Sequence, residues 1–173
     1  MQRYFTVLFL TLLLTGACAD AQTDEKVQGD PVQAATIAWV GMTEALRQSD
    51  STGKKILIDF YTDWCGWCKR MDKAIYADSN VIAYLNEHFL SVKLNPEKEG
   101  KIEYMGGEYT NRQFASAFEV RGYPATGFMN EKNEVITLLP GAVLDPNEFL
   151  TVLRYIAEDH YLTTSFEEFK TTR

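Results

Sequence analysis

The chain has 173 residues, of which 46% are hydrophobic, 13% aromatic and 24% charged. This balance contains too much apolar material for a disordered protein and too little for a polytopic membrane protein, and the length suits one domain. The formal net charge of −7 argues against nucleic acid as a partner, because phosphate backbones are bound by clustered lysine and arginine side chains.

Residues 1–17 have the pattern of a signal peptide. A single basic residue, Arg3, precedes an apolar run over residues 4–14, and small residues follow it. As a helix this run would rise only about 16 Å, whereas the hydrocarbon core of a bilayer is ~30 Å thick. The segment is therefore predicted to direct export rather than to span a membrane.

The end of this segment fits two cleavage sites. Residues 14–18, LTGAC, resemble a bacterial lipobox, which predicts lipidation of Cys18 and a lipoprotein anchored to the membrane. Residues 19–21, Ala-Asp-Ala, instead fit ordinary signal cleavage and a secreted soluble protein. We favour the lipoprotein, because a cysteine directly after Gly-Ala at the end of an apolar run has no other ready explanation. Both alternatives place the domain outside the cytoplasm, where disulfides persist.

The rest of the chain divides into three parts. Residues 18–35 are polar and without periodicity, so we expect a flexible tether. Residues 36–160 carry the patterns of a folded domain. Residues 161–173 are predicted to be either a short amphipathic helix or a frayed tail.

Within the domain, predicted strands alternate with predicted helices. The strands cover residues 37–40, 56–61, 90–94, 125–129 and 135–139, and the last two form a hairpin around a turn at 130–133. The helices cover residues 43–51 with Thr43 as N-cap, 65–76, a segment beginning with Ser79 as N-cap, 111–119, and a segment capped by Asp145. Polar, glycine-containing residues 96–107 predict a loop.

The chemistry is predicted to lie in residues 64–68, Trp-Cys-Gly-Trp-Cys. Cys65 falls at the first turn of a helix, where unpaired backbone N–H groups and the helix dipole favour its thiolate form. Cys68 lies nearly one turn further on, close enough for a disulfide. The pair can therefore cycle between dithiol and disulfide, with Cys65 attacking a substrate disulfide and Cys68 resolving the mixed intermediate. This role requires Cys65 to be open to solvent.

Other uses of the cysteine pair fit the sequence less well. A structural zinc site needs four ligands, and the other cysteine lies in the signal region, while His88 and His160 are far away in sequence. Haem attachment needs a histidine after the second cysteine, where the chain has Lys69. A purely structural disulfide closing so short a loop would stabilise the fold only weakly. We therefore predict no metal and no cofactor besides the cysteine pair.

Residues 56–70, ILIDFYTDWCGWCKR, resemble the active-site segment of thioredoxin-fold proteins. Two further segments match in order: residues 92–95, VKLN, and residues 121–124, RGYP. The resemblance covers about residues 37–158 and is nearest to extracytoplasmic members, including relatives of the C-terminal domain of the transmembrane thiol–disulfide interchange protein. It implies an α/β fold with a mixed central β-sheet flanked by helices on both faces.

The resemblance also implies roles for individual residues. Asp59 would be the buried acid beneath the cysteines, with a pKa raised by burial, and would accept the proton of Cys68. Lys93 would approach this acid and moderate the rise of its pKa. Tyr123 and Pro124 would form a cis-proline loop that pairs with an extended substrate.

The two tryptophans of the cysteine segment leave alternatives open. Trp64 is expected either to shape the surface beside the cysteines or to pack in the core. Trp67, where cytoplasmic thioredoxins usually have proline, is expected either to contact protein substrates or only to cover Cys68.

The sequence thus predicts a thiol–disulfide oxidoreductase of the bacterial cell envelope, acting on protein thiols and disulfides and preferably as a reductant. A membrane protein could supply its electrons. The alternatives are a disulfide oxidase or isomerase, and a non-catalytic binding or chaperone module that keeps the fold.

Overall fold

A computed structural model of the chain describes residues 36–171. Its strands are β1 (Trp39–Val40), β2 (Lys55–Phe60), β3 (Phe89–Leu94), β4 (Lys101–Tyr104), β5 (Gly107–Thr110), β6 (Ala125–Met129) and β7 (Val135–Pro140). Its helices are α1 (Met42–Thr52), α2 (Gly66–Ala74), α3 (Ser79–His88), α4 (Asn111–Ala117), α5 (Pro146–Ala157) and α6 (Phe166–Thr171), with a short 3-10 helix at His160–Leu162.

Five strands form one mixed sheet in the spatial order β1-β3-β2-β6-β7. Strands β1 and β2 both run parallel to β3, whereas β6 runs antiparallel to β2 and to β7. The parallel pairs are joined through helices, and the antiparallel pair β6–β7 is joined by the predicted short turn. This arrangement confirms the predicted fold class.

The central strand β2 is buried on both faces, as its continuous apolar sequence predicts. Its side chains alternate between two hydrophobic clusters. Ile56, Ile58 and Phe60 pack with residues of α1 and α4, whereas Leu57 packs with residues of α2, α3 and α5. By the same alternation, Asp59 points to the face covered by α2, which begins beside Cys65.

Two predicted helix starts are displaced by one or two residues. The N-cap of α1 is Gly41 rather than Thr43, whose hydroxyl instead accepts a hydrogen bond from the backbone N–H of Glu103 at 3.2 Å. The N-cap of α3 is Asp78 rather than Ser79, because the Asp78 carboxylate accepts from two backbone N–H groups of the first turn. The predicted Asp145 cap of α5 is confirmed by the same pattern of bonds.

The prediction of a loop over residues 96–107 is wrong in its second half. Strands β4 and β5 form a separate antiparallel hairpin there. Its turn holds Met105 and Gly106, both at positive φ, which is the backbone that two-residue hairpin turns require. Only one of its side chains, Ile102, is buried, so the hairpin gives almost no apolar signal in the sequence.

The segment after α5 folds back onto that helix. The ring of Tyr155 contacts those of Phe166 and Phe169, and Phe169 is buried. Among the residues that the structure describes, no helix has both the length and the apolar character needed to cross a membrane. The predicted signal peptide, the tether and the lipidation site Cys18 lie outside the described residues.

Candidate active site

The cysteine pair sits where the central strand passes into a helix. Cys65 is the N-cap of α2, and its Sγ accepts a hydrogen bond from the backbone N–H of Cys68 at 3.0 Å. The two cysteines form a disulfide with an S–S distance of 2.05 Å and a Cα–Cα distance of 5.3 Å. In the reduced form the same N–H group and the N-terminal end of the helix dipole would stabilise a thiolate on Cys65.

The solvent exposure of the pair differs from the sequence expectation. Cys65 and Cys68 are each only 4% exposed, so the expectation that Cys65 is open to solvent is wrong for this disulfide form. Each sulfur is bonded to the other in the disulfide, which removes part of the surface that a free thiol would expose.

Both tryptophans of the segment are exposed, Trp64 by 67% and Trp67 by 53%. The alternative of a core position for Trp64 is therefore wrong. Its Nε1 donates a hydrogen bond to the carboxylate of Glu97 at 3.0 Å, and its ring meets that of Tyr123 edge-on with centroids 6.0 Å apart. The Arg70 guanidinium lies 4.5 Å from the ring centroid of Trp67. The two indoles, which flank Cys65 in the sequence, thus contribute exposed aromatic surface.

The loop carrying Tyr123 and Pro124 lies beside Trp67. The Tyr123–Pro124 peptide bond is cis, as the resemblance predicted. The Pro124 carbonyl accepts a hydrogen bond from the Gly141 N–H at 3.0 Å, which fixes the loop to the end of β7. Together with Trp67 and Ala142, these residues line a cleft of about 260 Å³.

Asp59 and Lys93 form an ion pair in which the carboxylate is buried and the lysine is partly exposed. They are register partners on β2 and β3, and the Lys93 Nζ lies 3.0 Å from the Asp59 Oδ2. Burial raises the pKa of the Asp59 carboxyl from its ordinary 3.8 to about 6, and the Lys93 charge limits this rise. Both expectations about this pair, the raised pKa and the moderating lysine, are confirmed. A carboxyl with a pKa of about 6 can take up and release a proton near neutral pH.

The sequence analysis missed a second carboxylate, Asp72 of α2. Its side chain is 44% exposed and forms an ion pair and hydrogen bond with Lys93, the same lysine that pairs with Asp59. Asp72 follows Cys68 by four residues, so the two share one face of the helix. The i, i+4 spacing from Cys68 was the available signal in the sequence, but the sequence does not show that Asp72 reaches Lys93 of β3.

Among residues 36–171, no group of three or more His, Cys, Asp or Glu side chains is placed to hold a metal ion. What the site contains is a cysteine pair at a helix N-terminus, a buried acid and a cleft beside a cis-proline. A site of this kind on an α/β sheet defines a class of protein, the enzymes that exchange thiols and disulfides.

Comparisons with known proteins agree with this class. The family model for thioredoxin-like domains matches residues 42–157, and the chain belongs to this thioredoxin-like family. It is 28% identical to the disulfide bond reductase DsbH of Chlamydia pneumoniae over 129 residues, which are 73% of this chain and 76% of the relative.

Similarities to two further proteins also support a role in thiol–disulfide exchange. The chain is 31% identical to the thiol:disulfide interchange protein DsbD of Ralstonia nicotianae over 87 residues, 50% of this chain but only 13% of that longer protein. The solution structure of a candidate disulphide isomerase from Bacteroides thetaiotaomicron superposes with a TM-score of 0.56 at 33% identity, covering 73% of this chain and 97% of that one. With its disulfide in place, the chain is a thiol–disulfide oxidoreductase.

Proposed function

We propose that this oxidoreductase reduces disulfides in protein substrates of the bacterial cell envelope, attached to a membrane through a lipid on Cys18. The observation that carries the proposal is the position of Cys65 as N-cap of α2, with the Cys68 N–H at its sulfur. The reductive direction is supported by the similarity to a relative named as a disulfide bond reductase, three quarters of whose length this chain matches.

In the first step, the Cys65 thiolate attacks one sulfur of a substrate disulfide. A bond forms between Cys65 Sγ and that sulfur, the substrate disulfide breaks, and the other substrate sulfur leaves as a thiolate. The substrate chain would lie in the cleft beside Trp67, Tyr123 and Pro124, with Trp64 bounding the other side. These four residues are proposed as the substrate-binding surface.

In the second step, Cys68 loses its proton and attacks Cys65 Sγ, which releases the second substrate thiolate and closes the Cys65–Cys68 disulfide. We propose that Asp59 accepts this proton, directly or through a water, and that Lys93 stabilises the ionised carboxylate. The substrate gains two electrons and the cysteine pair loses two. No cofactor besides the pair is needed, and a membrane electron donor would return the pair to the dithiol.

The redox potential of the Cys65–Cys68 pair tests the direction. A redox potential of about −270 mV is expected for a reductant. A redox potential of about −120 mV would identify an oxidase and overturn the proposed direction. A value between these, together with activity on scrambled disulfides, would instead indicate an isomerase.

Insulin reduction by wild type and by Cys65→Ser tests whether the pair is catalytic at all. Activity is expected to disappear in the variant, and activity that survives would contradict the proposed mechanism. A wild-type protein that reduces no insulin would favour the non-catalytic binding module.

The lipid anchor is tested separately. Cys18→Ala should lose labelling by a radioactive fatty acid and become soluble, and a variant that stays membrane-bound would contradict lipidation at this residue.

A further inference from the structure

The ammonium of Lys93 is surrounded by three aromatic rings as well as two carboxylates. Its Nζ lies 5.2 Å from the ring centroid of Trp39, 5.1 Å from that of Tyr61 and 5.3 Å from that of Tyr76. We call Trp39, Tyr61 and Tyr76 the aromatic cage. All three distances lie within the range in which a cation is attracted to the face of a ring.

The cage is assembled from three separate segments and is anchored in the core. Trp39 belongs to β1, Tyr61 follows β2, and Tyr76 follows α2. The Trp39 and Tyr76 rings meet edge-on at 5.2 Å, and Tyr76 in turn meets the buried ring of Phe149 at 5.9 Å. The rings of Trp39 and Tyr76 are therefore held in place by contacts that do not involve Lys93.

Solvent exposure increases from Asp59 through Lys93 to Asp72, so the three charged side chains lead from the core to the surface. Asp59 is 3% exposed, Lys93 25% and Asp72 44%, measured over their side chains. Burial lowers the pKa of Lys93, but the Asp59 charge and the hydrogen bonds to both carboxylates outweigh this and raise it. Burial also raises the pKa of the Tyr76 phenol, and the charges of Asp59 and Asp72 raise it further, so the ring stays neutral.

A lysine side chain has a flexible four-carbon stem, and an ion pair with a partly exposed lysine usually loses part of its attraction to that freedom. The aromatic cage restricts this freedom, because three ring centroids lie within 5.3 Å of the ammonium nitrogen. The position of the ammonium relative to Asp59 then depends on the rings as well as on the carboxylates.

We propose that Trp39 and Tyr61 are positioning residues of the thiol–disulfide reaction, which hold the Lys93 ammonium against the Asp59 carboxylate while Asp59 exchanges the Cys68 proton. The proton-transfer part of this inference rests on the proposed function. The positioning part concerns only the ion pair, and it can be measured without substrate.

The test is an NMR titration of the Asp59 carboxyl in the oxidised, aspartate-¹³C-labelled protein. Trp39→Leu and Tyr61→Leu are each expected to raise the midpoint by about half a pH unit, because burial of Asp59 persists while its neutralising charge moves away. Tyr61→Phe keeps the ring and should restore the wild-type midpoint. Tyr109→Leu removes a half-buried tyrosine outside the cage and is the matched control, with no change expected.

The decisive comparison repeats both leucine substitutions in a Lys93→Met background. If the cage acts through Lys93, the substitutions there cause no further change in the Asp59 midpoint. The proposal is overturned if neither leucine variant moves the midpoint, or if the same displacement persists without Lys93. Because Trp39 and Tyr61 lie in different segments, the titration can still be carried out on one leucine variant if the other folds poorly.

The pH dependence of insulin reduction supplies a second readout. Its midpoint in the leucine variants should move upward together with that of Asp59, since the ionised carboxylate is the proton acceptor. A protein that failed to reduce insulin would overturn the proposed function and leave the carboxyl titration as a valid test of the cage. An unmoved carboxyl midpoint in an active reductase would overturn the cage alone.

Discussion

Replacing Asp59 with asparagine removes an ionisable group from the core while keeping its size and shape. The folded protein holds a proton on Asp59 more tightly than the unfolded chain does, because burial raises the pKa of this carboxyl from 3.8 to about 6. Ionised Asp59 therefore destabilises the folded state. This penalty is absent below about pH 4, grows as the pH rises to about 6, and is complete above that value.

The size of the penalty follows from the difference between the two pKa values. One pKa unit corresponds to about 1.4 kcal/mol, so a rise from 3.8 to about 6 predicts a penalty on the order of 3 kcal/mol. Asp59 is 2% exposed, so solvent screening reduces this figure little. Asp59→Asn should match wild type in stability near pH 3.5 and exceed it by about this amount near pH 7.5.

The assay is urea unfolding of the oxidised protein at both pH values, with the free energy of unfolding taken from linear extrapolation. Asp50→Asn is the matched control, because it removes a carboxylate from the exposed end of α1. If the stability difference between Asp59→Asn and wild type is the same at pH 3.5 and pH 7.5, or if the variant is less stable at pH 7.5, burial does not raise the pKa of Asp59 as described above.

Three further substitutions test other parts of the account. In Gly127→Ala the new Cβ would lie 2.9 Å from ring atoms of Phe60 and Phe118, so urea unfolding should show a loss of about 1–3 kcal/mol; an unchanged stability would mean that these rings move aside freely. Asp145→Ala should lower the free energy of unfolding by about 1 kcal/mol, since it removes the cap of α5; no loss would show that the cap is dispensable. Trp67→Ala should raise KM for insulin about tenfold and leave reduction of a small disulfide such as oxidised glutathione unchanged; equal effects on both would argue against a surface that binds protein substrates.

Elements with a strong local pattern could be predicted from the sequence. Strand β2 is a continuous apolar run, and the Asp145-Pro146 start of α5 combines a cap with proline in the first turn. The β4–β5 hairpin could not, because it buries a single side chain, Ile102, and lies on α1 and α4 rather than in the main sheet. The cap of α1 was misplaced because Gly41 supplies only backbone, while Thr43 carries the hydroxyl that caps usually use.

Some residues of the candidate site could likewise be predicted from local sequence, and others could not. Cys65 and Cys68 lie in a short segment whose spacing alone marks them, whereas the Tyr123–Pro124 loop was predicted from the resemblance to a family. Asp59 and Lys93 could be paired only through the resemblance to a family, since their contact depends on the register between β2 and β3.

The contacts that Asp72 and Trp39 make with Lys93 could not be predicted from the sequence. Each residue reaches Lys93 from an element whose position on β3 is fixed by tertiary packing, α2 for Asp72 and β1 for Trp39. The burial of Cys65 was mispredicted for a related reason. A helix N-terminus is usually exposed, but here the sulfur is bonded to that of Cys68 and is buried in the disulfide form.

The central claim is that Cys65 makes the first attack on a substrate disulfide and Cys68 resolves the product. Trapping of the mixed disulfide tests this most directly. Reduced Cys68→Ser incubated with a disulfide-bonded peptide should accumulate a covalent adduct on Cys65, detectable by mass spectrometry, while reduced Cys65→Ser under the same conditions should form almost none. An adduct that forms equally fast on Cys68 in the second variant, or no adduct in the first, would contradict the claim.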